Sequence, residues 1–150
     1  MHGIVCTDWS GKSNNCKSPM GIILCLTGRT ILCRTKFQAC VATSSTEAEF
    51  TAVYNTGKSI LYVRSILDEI DLPRDFATTL FVENNGALMM GNTQQPTRRT
   101  KHIATKKLTL QDWIQRYLLV MKHISSSDNN YNSDAIATVL GRQLHYHHND

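Results

Sequence analysis

Apolar residues in the first third of the chain follow the pattern of short strands. Residues 3–8 predict a strand, and the polar stretch at 9–19, with its Gly, Asn and Pro residues, predicts a loop. The apolar run at 20–26 and the alternating run at 30–35 are joined by Thr27-Gly28-Arg29, which indicates a β-hairpin. We therefore expect three consecutive antiparallel strands.

The next segment has the period of an amphipathic helix. The run at 43–46 offers capping hydroxyls, and Thr46 with Glu49 three residues later fits a capping box. Apolar residues then recur on one face as far as Leu72-Pro73, where we expect the helix to end. Gly57 is expected to weaken the middle of this helix by about 1 kcal/mol relative to Ala.

The second half of the chain alternates shorter elements. They are predicted strands at 79–82 and 117–124, predicted helices at 87–91, 103–116 and 134–140, a turn or helix cap at 84–86, and a basic loop at 92–102. This order combines an antiparallel hairpin with β-α-β crossovers, which predicts an α/β layer structure with a mixed sheet. We expect one domain over residues 1–142 and a loose tail over 143–150.

Composition narrows the class of protein. Hydrophobic residues make up 41% of the 150 residues and charged residues 19%, which is typical of a globular chain. The sequence has no apolar run of 18 residues and no secretory signal at its start, so we expect an intracellular protein without a membrane span. Five cysteines without a Cys-x-x-Cys pair argue against a zinc site and predict reduced, mostly buried thiols.

Four acidic residues stand at the ends of predicted elements: Asp8, Glu49, Glu83 and Asp134. Several such ends can converge at one edge of a mixed sheet, where carboxylates suit two Mg²⁺ or Mn²⁺ ions and phosphodiester hydrolysis. Single acids are also common as turn formers and as partners of helix N-termini. The residues alone leave both interpretations open.

Five motifs follow one another in order from about residue 3 to about residue 148. They are Asp8-Trp9-Ser10-Gly11, the helix opening at 42–50, the strand end at 80–85, the basic segment at 99–103, and Ser133-Asp134-Ala135 followed by Leu140-Gly141-Arg142. In this order they resemble the ribonuclease H domains of copia-type retrotransposon Pol polyproteins.

The resemblance implies a ribonuclease H-like fold with a five-stranded mixed sheet flanked by helices. It implies magnesium-dependent hydrolysis of RNA in RNA–DNA hybrids, with a reverse transcriptase domain adjoining in the parent element. By matching position, the catalytic, metal-binding acids are Asp8, Glu49, Glu83 and Asp134. Within the helix motif the resemblance indicates Glu49 as the metal ligand. Glu47 is instead expected to stabilise the N-terminus of the helix through its negative charge.

Two of these four positions depart from the family pattern. Aligned on Trp9, the family's first acid falls on Cys6, and Asp8 follows two residues later on the same strand face. An alternative register gives Thr7-Asp8 the strand-end role. Glu83 stands where the family has Asp, and this longer side chain displaces the carboxylate.

These departures, together with Ala137-Thr138 in place of the family's Thr-Lys, leave an alternative open. The chain is then a catalytically impaired relic or a module that binds nucleic acid or protein. Because Met1 lies directly on the first strand, the sequence also suggests a piece separated from its polymerase.

The segment from 98 to 122 carries seven basic residues and one acid. Its candidate nucleic-acid-binding residues are Arg98, Arg99, Lys101, Lys106 and Lys107. Such a patch is suited to the phosphates of an RNA–DNA hybrid. A solvated helix face explains the same charges equally well.

Overall fold

The computed structural model describes residues 1–7, 18–38, 42, 44–72, 76–92 and 101–125. Their strands are β1 His2–Thr7, β2 Pro19–Leu26, β3 Arg29–Phe37, β4 Thr78–Val82 and β5 Leu119–His123, and their helices are α1 Ser45–Glu69, α2 Asn85–Asn92 and α3 Lys101–Gln115. The predicted α/β class is confirmed. The helix predicted at 134–140 and the tail at 143–150 lie outside the described residues, so the domain bounds stay a prediction.

The five strands form one mixed sheet in the order β3-β2-β1-β4-β5. β1 pairs with β2, and β2 with β3, in antiparallel fashion, whereas β1–β4 and β4–β5 are parallel pairs. A parallel pair needs a crossover connection, and the 25-residue helix α1 provides it between the hairpin and β4. This crossover brings the ends of β1 and β4 to one edge of the sheet.

The β2–β3 hairpin turns within the predicted segment Thr27-Gly28-Arg29, but Arg29 is already the first residue of β3. Thr27 and Gly28 both have positive φ, at 50° and 78°, and Leu26 pairs with Arg29. Two successive left-handed residues give the turn the twist that antiparallel strands favour. Gly28 adopts this conformation without the steric cost that a Cβ would impose.

Helix α1 begins two residues earlier than the predicted capping box implies. The cap is Ser44, whose hydroxyl accepts a hydrogen bond of 3.1 Å from the backbone N–H of Glu47. The prediction of a cap within 43–46 is confirmed, but the capping box of Thr46 with Glu49 is wrong, because Ser44 is the residue that satisfies a free N–H group of the first turn. Glu49 consequently lies inside the helix, where its side chain is not needed for capping.

The helix ends at Glu69, before the predicted stop at Leu72-Pro73. Asp71 has a φ of 53°, its N–H donates to the carbonyl of Asp68, and the N–H of Leu72 donates to that of Leu67. These paired bonds form a Schellman motif, which satisfies the last carbonyls of the helix. Asp71 takes the left-handed position that glycine usually occupies at the end of a helix. The sequence therefore has no glycine that would mark this helix end.

The main core lies between the sheet and the helices on one of its faces. Val5, Leu24 and Leu80 from three adjacent strands pack with Phe50 and Ile60 of α1, and all five are fully buried. On the opposite face a smaller cluster joins Ile4, Ile23 and Cys25. Alternation along β1 therefore assigns Gly3, Val5 and Thr7 to the α1 face.

Gly57 has a packing role that its helix propensity conceals. A Cβ at this position would lie 2.8 Å from the Trp113 ring, which stacks at 5.6 Å on Tyr54. The glycine therefore allows α1 and α3 to approach closely. Trp113 is buried at this contact and acts as a packing residue.

Among the described residues, no helix combines the length and hydrophobicity that a membrane crossing requires. The prediction that the cysteines are mostly buried has a mixed outcome. Cys25 is buried as predicted, but Cys33 is an exposed free thiol. The reason is that Cys33 lies on the edge strand β3.

We predict that Gly57→Ala destabilises the protein although alanine is the better helix former. The propensity gain of about 1 kcal/mol is outweighed by overpacking against the Trp113 ring, which costs about 1–3 kcal/mol. Urea unfolding should give a free energy of unfolding lower by about 1 kcal/mol. Ser65→Ala, an exposed site on the same helix, is the control and should change stability by less than about 0.5 kcal/mol. A more stable Gly57→Ala variant would contradict this packing role.

Candidate functional site

The candidate site lies where β1 and β4 end side by side. The parallel register pairs Gly3 with Leu80 and Ile4 with Phe81, so both strands run toward the same end of the sheet. β1 ends at Thr7, and Glu83 directly follows the last residue of β4. Acidic and hydroxyl groups that are distant in sequence are thereby gathered at one edge of the sheet.

Glu49 is the central group of this edge. It lies in the second turn of α1 between Ala48 and Phe50, both fully buried, and is itself only 5% exposed. The hydroxyl of Thr7 donates a hydrogen bond to Oε2 of Glu49. Its other oxygen, Oε1, is buried without a hydrogen-bond partner. A buried carboxylate oxygen in this state is suited to accept a further ligand or a proton.

The electrostatics of Glu49 follow from this position. Burial, which disfavours the charged form, is the largest cause that raises its pKa above the ordinary 4.5. The hydrogen bond from Thr7 partly offsets this effect, and the negative charge of Glu83 adds to it. Glu49 and Glu83 are therefore close enough to repel one another.

The backbone around Glu83 is held from two sides. Its carbonyl accepts a 3.0 Å hydrogen bond from Nε2 of His123 on β5. The following residue, Asn84, accepts a 3.0 Å hydrogen bond from the N–H of Ala87 through its side-chain oxygen, so that it caps α2. The cap predicted at 84–86 is confirmed. Glu83 thus lies at a fixed junction between β4 and α2.

The structure describes two of the four predicted acids, and it brings these two together. Asp8 and Asp134 lie outside the described residues, so their part in the site stays a prediction. Thr7 is the group that sequence reasoning missed as a partner of Glu49. Its position two residues after Val5, on the α1 face, is the signal that could have found it.

The basic segment is described only in part. Arg98 and Arg99 lie outside the described residues, and Lys101 is the first residue of α3. Lys106 donates a 3.3 Å hydrogen bond from Nζ to the hydroxyl of Thr51 and so connects α3 to α1. Lys107, on the same helix, is half-buried and also has an interaction partner. Lys106 therefore connects the two helices as well as carrying charge.

A divalent cation fits the donor chemistry of this edge. Glu49 and Glu83 supply hard carboxylate oxygens that repel each other, and Glu49 has one buried oxygen without a partner. In the part of the chain that the structure describes, no group of three or more His, Cys, Asp or Glu residues converges on one point. A complete metal site therefore needs ligands beyond these two acids.

Sequence relatives of the chain are transposon polyproteins. The retrovirus-related Pol polyprotein from transposon TNT 1-94 of Nicotiana tabacum is 28% identical over 129 residues, which are 86% of this chain and 10% of the polyprotein. That from transposon RE2 of Arabidopsis thaliana is 29% identical over 128 residues, which are 85% and 9% of the two chains. The chain thus spans about a tenth of the length of these relatives. No family model matches it.

Solved structures with the same fold include two ribonucleases H and a viral protease-reverse transcriptase. RNase H1 from Halobacterium salinarum NRC-1 has a TM-score of 0.60 at 12% identity and covers 90% of this chain and 92% of its own. LC11-RNase H1 in complex with RNA/DNA hybrid has a TM-score of 0.59 at 15% identity, covering 95% and 99%. Prototype foamy virus protease-reverse transcriptase has a TM-score of 0.57 at 12% identity, covering 95% of this chain and 19% of its own.

The sheet order and these likenesses define the fold as that of ribonuclease H. The homologues of the chain are retrovirus-related Pol polyproteins of copia-type transposons. The resemblance and the fold predicted from the sequence motifs are both confirmed.

We predict that Glu49→Gln stabilises the metal-free protein at neutral pH. Since the folded pKa of Glu49 lies above the unfolded value, the native state binds this proton more tightly, and stability falls as pH rises from about 4.5 through the folded pKa. Glutamine removes the buried charge and with it this loss. Thermal melts in EDTA should show a higher melting temperature for the variant at pH 7, by about 2–4 °C for each kcal/mol gained.

The gain should shrink as the pH is lowered below 4.5, where the wild-type carboxyl is protonated in both states. Glu69→Gln, at an exposed position of the same helix, serves as the control without this pH dependence. A difference between wild type and Glu49→Gln that stays constant from pH 4 to pH 7 would exclude the buried charge as its cause.

Proposed function

We propose that this chain is a ribonuclease H-like nuclease domain that hydrolyses the RNA strand of RNA–DNA hybrids with divalent cations, Mg²⁺ or Mn²⁺. The observation that carries the proposal is the buried Glu49 carboxylate beside Glu83, with one oxygen that has no partner. Two repelling carboxylates at a strand edge keep their charges most readily when a cation neutralises them.

In this proposal Asp8, Glu49, Glu83 and Asp134 hold the ions. When bound, such ions acidify a water molecule and neutralise charge on the scissile phosphate. The contribution of Thr7 is to occupy Oε2 of Glu49 with its hydroxyl, which leaves Oε1 as the oxygen for a ligand. The held backbone of Glu83 presents the second carboxylate from a fixed position.

The comparisons support the substrate class and the partner. LC11-RNase H1 shares the fold and has been solved with an RNA/DNA hybrid, which is the substrate class that we propose here. The relatives are Pol polyproteins, and the foamy virus chain joins the same fold to a protease-reverse transcriptase. We accordingly propose a reverse transcriptase domain as neighbour in the parent element.

The basic residues Arg98, Arg99, Lys101, Lys106 and Lys107 are proposed to contact phosphates of the hybrid. The Lys106–Thr51 hydrogen bond connects α3 to α1, the helix that carries Glu49. This contact supports the proposal, because it holds the basic residues of α3 in a defined position relative to the candidate site. Phosphate contacts of this kind position a nucleic acid without reading its sequence.

A second candidate function is binding of nucleic acid without hydrolysis. It is favoured by the end of β1, where the described group next to Glu49 is the hydroxyl of Thr7 rather than a third carboxylate. If Asp8 does not complete the ligand set, the basic surface still retains affinity for a hybrid. Cleavage and binding measured on the same variants separate the two functions.

We predict that Glu49→Gln lowers hybrid cleavage by at least about a hundredfold, because it removes a direct ligand, and removing a group that only orients a ligand already costs about 10–100-fold. The assay is cleavage of a labelled RNA–DNA hybrid with Mg²⁺ or Mn²⁺. Glu47→Gln, two residues earlier on the same helix, is the matched control and should retain activity within a few-fold. A readout independent of activity is the rise in melting temperature on adding Mn²⁺, which should be smaller in Glu49→Gln than in the wild type.

Equal activity of Glu49→Gln and wild type would exclude Glu49 from the site. If the wild type itself does not cleave at high enzyme concentration, Thr7→Asp with Glu83→Asp should restore cleavage in a domain that has lost only its ligands, because Thr7 is the residue of β1 that contacts Glu49. Continued inactivity with intact hybrid binding would establish the binding function instead.

We predict that replacing Arg98, Arg99 and Lys101 together by Ala weakens hybrid binding at every sequence tested. The dependence of log affinity on log salt concentration should become shallower by about 0.9 for each phosphate that these side chains no longer neutralise. Fluorescence anisotropy over a series of salt concentrations measures both quantities. The triple variant Lys17→Ala, Arg29→Ala, Arg74→Ala removes the same charge outside the 98–122 segment, and an equal effect of both triple variants would contradict a localised patch.

A further inference from the structure

An open groove of about 400 Å³ lies between α1 and the hairpin edge of the sheet. It is on the same face as Glu49, because its floor is formed by the buried residues Met20 and Ile22 of the main core. The contacts of α1 with the sheet are to β1, β2 and β4. The neighbouring edge strand β3 consequently forms the outer wall of the groove.

Both walls of the groove are basic. On β3, Arg34 pairs in register with Ile22 and Lys36 pairs with Met20, so both basic side chains share the face of these core residues. On α1, Lys58 lines the opposite wall, and its Nζ lies 5.8 Å from the ring centroid of Tyr54. In the described ranges no acidic residue lines the groove, and none pairs with Arg34 or Lys36. An anionic occupant is therefore expected.

An exposed aromatic ring lies beside these cations. Tyr62, one turn after Lys58, is 65% exposed and lines the groove. Cations along a groove with an accessible ring are the combination that binds single-stranded nucleic acid, because phosphates meet the charges and a base stacks on the ring. An acidic peptide would match the positive charges of the groove, but it has no planar bases that stack on an aromatic ring.

We propose that this basic groove, formed by Arg34, Lys36, Lys58 and Tyr62, binds a single strand of nucleic acid. Lys58 follows Glu49 by nine residues on α1, which places the groove about 14 Å along the helix from the candidate site. That distance is about four nucleotide steps of 3.4 Å. The groove is thus a second nucleic-acid site, separate from the carboxylate edge and from the segment at 98–107, and it does not depend on hydrolysis.

The test is binding of a fluorescently labelled 12-nucleotide DNA single strand to the full chain in EDTA, followed by anisotropy at several salt concentrations. Arg34→Ala with Lys36→Ala should weaken binding about tenfold and make the salt dependence shallower by about 0.7 for each phosphate contact, hence about 1.4 in all. Tyr62→Leu should weaken binding about tenfold because one base no longer stacks, whereas Tyr62→Phe should bind like the wild type.

The matched control is Arg29→Ala with Lys122→Ala, which removes two exposed charges outside the groove and should leave affinity within about twofold. A second readout needs no substitution: acetylation of lysines followed by mass spectrometry should show Lys36 and Lys58 protected by the oligonucleotide and Lys122 unprotected. This readout keeps the proposal testable if the variants unfold.

The proposal is overturned if both double variants lose affinity equally, or if Lys36 and Lys58 react at the same rate with and without the oligonucleotide. It is also overturned if polyglutamate of equal charge competes as well as unlabelled DNA and Tyr62→Leu binds normally, since the groove then takes an acidic protein. Because EDTA prevents metal-dependent cleavage, failure of the nuclease function does not affect these results.

Discussion

The carboxylate of Glu49 is buried between α1 and the sheet, and it accepts a hydrogen bond from the Thr7 hydroxyl at the end of β1. Burial penalises its charge, and the nearby carboxylate of Glu83 adds to the penalty. The charged form of Glu49 is therefore destabilised, and binding of a cation or a proton removes this destabilisation. This single constraint links the packing of α1 to the chemistry that we propose.

The topology satisfies this constraint in two ways. The parallel pairing of β1 with β4 brings Thr7 and Glu83 to the same edge, although 76 positions separate them in the numbering. Because Gly57 has no side chain, the Trp113 ring of α3 can pack closely against α1. The Lys106–Thr51 hydrogen bond adds a polar contact between the same two helices. The packing of α3 against α1 therefore also determines the position of Glu49, which α1 carries.

The homologues of the chain are Pol polyproteins of copia-type transposons, and the fold is that of ribonuclease H. Against this background the end of β1 is the point of greatest interest, because a hydroxyl group contacts Glu49 there. A hydroxyl retains hydrogen bonding while it contributes no negative charge. Thr7 therefore adds no charge that could hold a cation, and the basic groove does not depend on it.

Hydrophobic period and turn chemistry were enough to predict the order of the strands and helices and the hairpin at Thr27-Gly28, because these depend on neighbours in sequence. The ordered motifs likewise pointed to Glu49 and Glu83 as neighbouring acids. Only the tertiary structure decided that Ser44 caps α1, that Thr7 contacts Glu49, that Gly57 serves packing, and that basic residues of β3 face Lys58 of α1. Each of these depends on how the folded backbone places groups relative to one another, most of them far apart in the chain, which local pattern does not encode.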